Sequence, residues 1–162
     1  MKWLKRALVA ILVLAGRVLV VLLPVGGSFL ITNSHFRFPE PGPTRPEDFG
    51  LSVESVEFTT SDGKTLRGWW NPGEAGQPVV LFCHGLNRSR GEMLDRAAET
   101  RRRGYGVMLF DFRDHGESAH AYRTLGIHET RDVCAASAFV GKNAPTRPQL
   151  LWGVSLGAST AL

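Results

Sequence analysis

The chain has 162 residues, 43% of them hydrophobic and 21% charged, with 19 Lys and Arg against 15 Asp and Glu. Lys2, Lys5, Arg6 and Arg17 are the only charged groups in residues 1–31, so the other 15 basic residues balance the 15 acidic ones, and the net +4 belongs wholly to the amino-terminal segment. The basic isoelectric point therefore gives no support to nucleic-acid binding, which needs a basic face on a folded domain, and the sequence carries neither an internal repeat nor a metal-ligand spacing.

Residues 7–31 are apolar apart from Arg17 and a few small or turn residues, enough to cross a hydrocarbon core of about 30 Å at about 1.5 Å per residue. An arginine near the centre costs about 2.5 to 3.5 kcal/mol on insertion scales, which the many Leu, Ile and Val residues and snorkelling of the side chain offset. Val25 to Ser28 offers small residues but no clean A-x-A cleavage pattern. The segment reads as an uncleaved signal anchor, a single pass with the amino terminus cytoplasmic and the rest of the chain on the far side. Four prolines between Phe38 and Pro46 read as a stiff linker, giving an expected partition into anchor (1–31), linker (32–52) and folded domain (53–162).

Val53 to Phe58 alternates apolar and polar residues, Ser61-Asp62-Gly63-Lys64 is a turn, and Leu66 to Trp70 returns, so a hairpin is expected. Trp69 and Trp70 are read as packing or rim residues. Pro78 to Cys83 is a buried-strand pattern with His84, Gly85, Leu86 and Asn87 at its carboxyl end. A helix is expected over Gly91 to Arg103, its three terminal arginines complementing the helix dipole before Gly104. Gly106 to Phe110 is a further buried run leading into the loop Asp111 to Ser118, and Ile127 to Val140 reads as a second crossover helix with Val133, Ala136 and Val140 on one face. Leu150 to Trp152 reads as a buried strand, followed by Gly153-Val154-Ser155-Leu156-Gly157 and a helix start at Ala158. Cys83 and Cys134 fall on a strand and a helix, with no disulfide between them expected.

Strand, Gly-x-Ser-x-Gly and helix in that order form a nucleophile elbow, in which the serine sits on a strained turn that needs small neighbours. Acyl transfer also needs two backbone N–H donors aimed at the oxyanion, one after the nucleophile and one from the loop after an earlier strand; Leu156 and Leu86 stand at those places.

Leu-Phe-Cys-His-Gly at 81–85, Asp-Phe-Arg-Asp-His-Gly-Glu-Ser at 111–118 and Gly-Val-Ser-Leu-Gly-Ala at 153–158 together resemble the α/β-hydrolase family, in particular its membrane-anchored BEM46-like, serine-aminopeptidase-like branch. The resemblance covers roughly residues 53–162 and implies an α/β fold with a mostly parallel sheet opened by an antiparallel hairpin. It implies Ser155 as nucleophile, the N–H groups of Leu86 and Leu156 as oxyanion hole, and site-loop support from His84, Gly85, Asp111, Arg113, Gly153 and Gly157, with Arg113 paired to Asp114. No cofactor or metal is expected, and the membrane location of the anchor inclines the expected small-molecule substrate toward lipid-like acyl compounds.

The family's chain order places the acid and base of the triad after the serine, and residues 156–162 contain neither an acid nor a histidine. Histidines 35, 84, 115, 120 and 128 all precede Ser155, and a base must come within about 3 Å of the hydroxyl; nothing in their spacing argues for that. The expectation is therefore the amino-terminal part of a serine hydrolase of ester, thioester or amide bonds, nearly inactive as this chain alone, with Leu150 to Trp152 an exposed apolar edge. The alternative is a non-catalytic binding or regulatory module of the same fold. Dehalogenation is disfavoured because it uses a carboxylate at the elbow.

Overall fold

The computed structural model describes residues 2–33, 38, 39, 42 and 44–161. They fall into two units, Met1–Ser34 and His35–Leu162. The first is one helix, α1 (Lys2–Asn33), with no buried residue. At 32 residues it is about 48 Å long by its rise. Its length and apolar composition are those of a membrane span, and equally of a signal sequence. In the last turn Thr32 Oγ1 donates to the Ser28 carbonyl and Asn33 Nδ2 to that of Phe29, so polar side chains satisfy carbonyls left at the helix end.

The second unit is built on a sheet of β1 (Glu54–Thr59), β2 (Thr65–Asn71), β3 (Val79–Cys83), β4 (Gly106–Phe110) and β5 (Gln149–Gly153), in the order β1-β2-β4-β3-β5. β1 pairs β2 and β2 pairs β4 antiparallel; β3 pairs β4 and β5 in parallel. The helices are α2 (Leu94–Arg102), α3 (Glu129–Asn143) and α4 (Leu156–Thr160). β3 and β4 are buried along their whole length, as parallel strands covered on both faces must be. Alternation sends Val79, Leu81, Cys83, Met108 and Phe110 to one core with Val133, Ala136 and Val140 of α3. Val80, Phe82, Val107 and Leu109 go to a second core with Leu94, Ala97 and Ala98 of α2.

From β3 to β4 the chain steps one way across the sheet, and from β4 to β5 it steps back past β3. Crossovers of one hand then place α2 and α3 on opposite faces. The connections leaving the neighbouring strands β3 and β5 diverge, and the carboxyl ends of strands at such a point are the place where open α/β sheets bind ligands.

Several elements differ from the expected ones. Part of the stretch read as linker is folded: Pro46–Phe49 forms a 3-10 turn ended by Gly50 at φ +64°, and Leu51 is buried in the second core. Its remainder includes residues 34–37, 40, 41 and 43, which lie outside the described ones. The helix read from Gly91 opens as a 3-10 turn, Arg90–Met93, because the Ser89 hydroxyl accepts the Gly91 N–H. Arg102 and Arg103 at the end of α2 bond to Glu99, so the arginine run serves the helix. α3 begins at Glu129 because its carboxylate takes the N–H groups of Thr124 and Gly126 and holds the preceding residues in a turn. β5 forms as read, and Leu150, Leu151 and Trp152 are 44–48% exposed, matching the expected apolar edge rather than the buried-strand reading. It has one neighbouring strand among the described residues, and burial of a strand depends on what packs beside it. Trp70 is buried against Phe139, and Trp69 lies beneath the Arg90 guanidinium at 4.3 Å. Both cysteines are free; burial pushes the Cys83 thiol up to about 12, while Cys134 is exposed.

Candidate functional site

Ser155 joins β5 to α4 with φ +50° and ψ −113°, a conformation that costs a non-glycine residue about 1–3 kcal/mol and persists only where surroundings impose it. The imposing contacts are close. A Cβ on Gly157 would lie 2.1 Å from the Cys83 carbonyl oxygen, and one on Gly153 would lie 2.4 Å from Ala158 N. Gly157 thus lets α4 sit against the end of β3, and Gly153 lets β5 pass under α4. Val154 N–H donates to the Cys83 carbonyl and Gly157 N–H to the Val154 carbonyl, closing the turn. The Ser155 side chain is left exposed, with no hydrogen bond to any described residue.

The loop after β3 meets this turn. A Cβ on Gly85 would lie 3.8 Å from Ser155 Cβ. Gly85 N–H donates to Glu92 Oε2 at 2.7 Å, and His84 Nδ1–H donates to the Gly85 carbonyl at 2.7 Å. His84 Nε2 accepts from Phe112 N–H at 3.1 Å, which fixes the Nδ1–H tautomer. Because N–H and C=O of a trans peptide point in opposite directions, His84 also sets the direction of the Leu86 N–H. Neither the Leu86 nor the Leu156 N–H donates to a described residue.

The loop after β4 lies behind this loop. Asp111 accepts from Arg90 N–H (2.7 Å), Arg90 Nη1 (2.8 Å) and Glu117 N–H (3.0 Å), and a Cβ on Gly116 would stand 2.0 Å from its Oδ2. Arg113 does not form the pair with Asp114 that the sequence led one to expect. It bridges Asp132 at 2.7 Å and Asp62 at 2.8 Å, tying the loop to α3 and to the β1–β2 turn. Asp114, at φ +56°, turns instead to Arg123 at 2.8 Å and His120 at 3.1 Å. Hydrogen bonds from Arg113 hold the Asp62 carboxyl well below the usual carboxylate range, and those from Arg90 lower Glu117.

The structure therefore brings Ser155, Leu86, Leu156, His84, Gly85, Gly153 and Gly157 together at the carboxyl ends of β3 and β5, while the side chains of Asp111 and Arg113 brace the loop behind it. Sequence reasoning passed over Glu92, Asn87, Arg90 and Arg123, which contact these loops from positions that carry no motif; of the histidines, His35 lies outside the described residues. Among the described residues no group of three His, Cys, Asp or Glu is placed to hold a metal. A cavity of about 870 Å³ lies between α2 and β5 and reaches Gly153 at the foot of the turn, lined also by Glu99, Arg103, Tyr105 and Trp152.

Residues 75–162 match the sequence profile of the serine aminopeptidase S33 family. Among curated proteins, the chain is 37% identical over 116 residues to the thiohydrolase aneE of Aspergillus aculeatus, covering 68% of this chain and 36% of that protein. It is 34% identical to the polyketide transferase ATR5 of Stachybotrys chlorohalonatus, covering 69% and 39% respectively. The chain thus spans well under half the length of these two relatives. Among solved structures, the esterase Pf2001 of Pyrococcus furiosus superposes with a TM-score of 0.65 and 32% identity, covering 77% of this chain and 50% of that one.

Proposed function

This chain belongs to the serine aminopeptidase S33 family of α/β-hydrolases, and from that premise we propose that it carries the nucleophile half of a serine hydrolase acting through an acyl-serine intermediate. The observation that carries the reading is Ser155 at φ +50°, exposed beside Gly85 where the connections from β3 and β5 diverge. Ser155 Oγ attacks the carbonyl carbon of an ester, thioester or amide. The carbonyl oxygen gains the negative charge and is received by the N–H groups of Leu86 and Leu156, which await it without reorganisation. Collapse expels the alcohol, thiol or amine and leaves the acyl group on Ser155; water then releases the acid.

A general base must take the Ser155 proton. Both ring nitrogens of His84 are engaged with backbone groups, as are those of His115, so the reading draws the base and its carboxylate from the part of the relatives' length that this chain does not span. The similarity to a thiohydrolase and an esterase favours thioesters and esters over amides. The reading further assigns residues 7–31 to membrane anchoring in the manner of the BEM46-like branch, with the amino terminus cytoplasmic, and a small-molecule or lipid-like acyl substrate. A second reading, a non-catalytic module of the same fold, draws on the absence of any described histidine bonded to Ser155. A fluorophosphonate probe separates the two in the full-length gene product: labelling that disappears in Ser155→Ala supports the hydrolase, and an unlabelled protein supports the module.

A further inference from the structure

Resting on Ser155 and the Leu86 N–H as site groups, a second set of residues bears on the same reaction. Leu86 is followed by Asn87, which holds φ +60° and is fastened through its N–H, its Oδ1 and its carbonyl. Its N–H donates to His115 Nε2 at 3.2 Å. Its side-chain Oδ1 accepts from Arg123 Nη1, and its carbonyl accepts from Phe38 N–H at 2.8 Å. Both distant partners are themselves fixed. His115 is fully buried and donates Nδ1–H to the Arg113 carbonyl at 2.8 Å. Arg123 is 1% exposed and is held through Nε to Asp114 Oδ2 at 2.8 Å. A buried arginine aimed at a surface loop is costly unless it is paired and bonded, and here the bonds join Asp114 to Asn87.

Upstream of Leu86, the Gly85 N–H and carbonyl are held by Glu92 and His84. Downstream, Asn87 is held by His115 and Arg123. The Leu86 N–H between them is the one backbone donor of residues 85–87 with no described acceptor. We infer that Arg123 and His115, acting through Asn87, are positioning residues of the oxyanion hole: they fix the downstream end of the loop so that the Leu86 N–H points at the substrate oxygen. Their work falls on the charged transition state, since a displaced donor weakens binding of the oxyanion more than of the neutral ester.

The test uses p-nitrophenyl acetate hydrolysis by the full-length gene product, with rates normalised to folded protein by circular dichroism. Asn87→Gly keeps the left-handed backbone accessible and deletes the side-chain acceptor; Asn87→Asp retains it; Arg123→Met deletes the donor. The expected result is a kcat lowered about tenfold or more in Asn87→Gly and Arg123→Met, within the 10²–10³-fold bound set by loss of a whole oxyanion donor. KM stays near wild type, Asn87→Asp retains most of the rate, and the double variant loses little beyond either single one. Wild-type kcat per folded molecule in both deletions, with Ser155→Ala inactive, overturns this inference alone. Activity that survives Ser155→Ala overturns the serine reading and this inference with it.

Discussion

Gly157→Ala is the sharpest perturbation of the turn that carries Ser155. The added methyl would stand 2.1 Å from the Cys83 carbonyl oxygen, 2.5 Å from its carbon and 2.8 Å from the Cys83 Cβ. Ordinary contact begins near 3.4 Å, so α4 must retreat from β3 by about 1.3 Å. Two of the three opposing atoms are backbone, in a strand paired on both sides, so no rotamer change relieves the clash. Overpacking of this kind costs about 1–3 kcal/mol, and a misplacement of about 1 Å at a reacting group costs roughly 10²-fold in rate. Thermal melting and the rate of fluorophosphonate labelling read the two effects. The control is Gly85→Ala, whose methyl meets the side-chain carboxylate of Glu92 at 3.3 Å and Ser155 Cβ at 3.8 Å; it should melt close to wild type. Gly157→Ala that melts and labels like wild type would refute the packing argument.

Asp62→Asn removes a carboxylate that Arg113 holds below its ordinary range. A depressed folded-state pKa adds stability above the unfolded value of about 4, and that stability fades as pH falls. The variant should therefore melt lower than wild type at pH 7, with the gap closing below about pH 4; a constant gap would contradict the pairing. Cys134 is exposed, whereas Cys83 is buried with its thiol pushed up to about 12, so a maleimide at pH 7.5 should modify Cys134 alone in the native protein and both cysteines in denaturant. Deletion of residues 2–33 should move the protein from the carbonate-washed membrane fraction to the supernatant; membrane retention of the deleted form would dissociate α1 from anchoring.

What could be read from sequence was local. β3 and β4 were legible because runs such as Val-Val-Leu-Phe-Cys have the length and composition of strands buried on both faces, and the elbow because its glycines answer a steric need within five residues. β5 was legible as a strand and as an exposed apolar edge, but its composition also read as that of a buried strand, because composition speaks for a strand and not for its neighbours. The pairing of Arg113 with Asp114 failed for a related reason. Adjacent side chains diverge from a turning backbone, and the guanidinium reaches Asp62, 51 residues away, and Asp132, 19 away. Arg123 to Asn87 spans 36 residues with no motif at either end, so the network behind the loop after β3 had no signature until the fold placed it.

Acid trapping during turnover reveals whether an acyl-serine forms at Ser155. The full-length gene product is mixed with excess p-nitrophenyl acetate, quenched at low pH within the first turnovers, digested and weighed peptide by peptide. The account predicts a burst of nitrophenol and an acetyl group on the peptide containing Ser155, both absent in Ser155→Ala. Sustained hydrolysis with no acetyl group on that peptide, or with the group carried by another residue and the rate unchanged in Ser155→Ala, would contradict it.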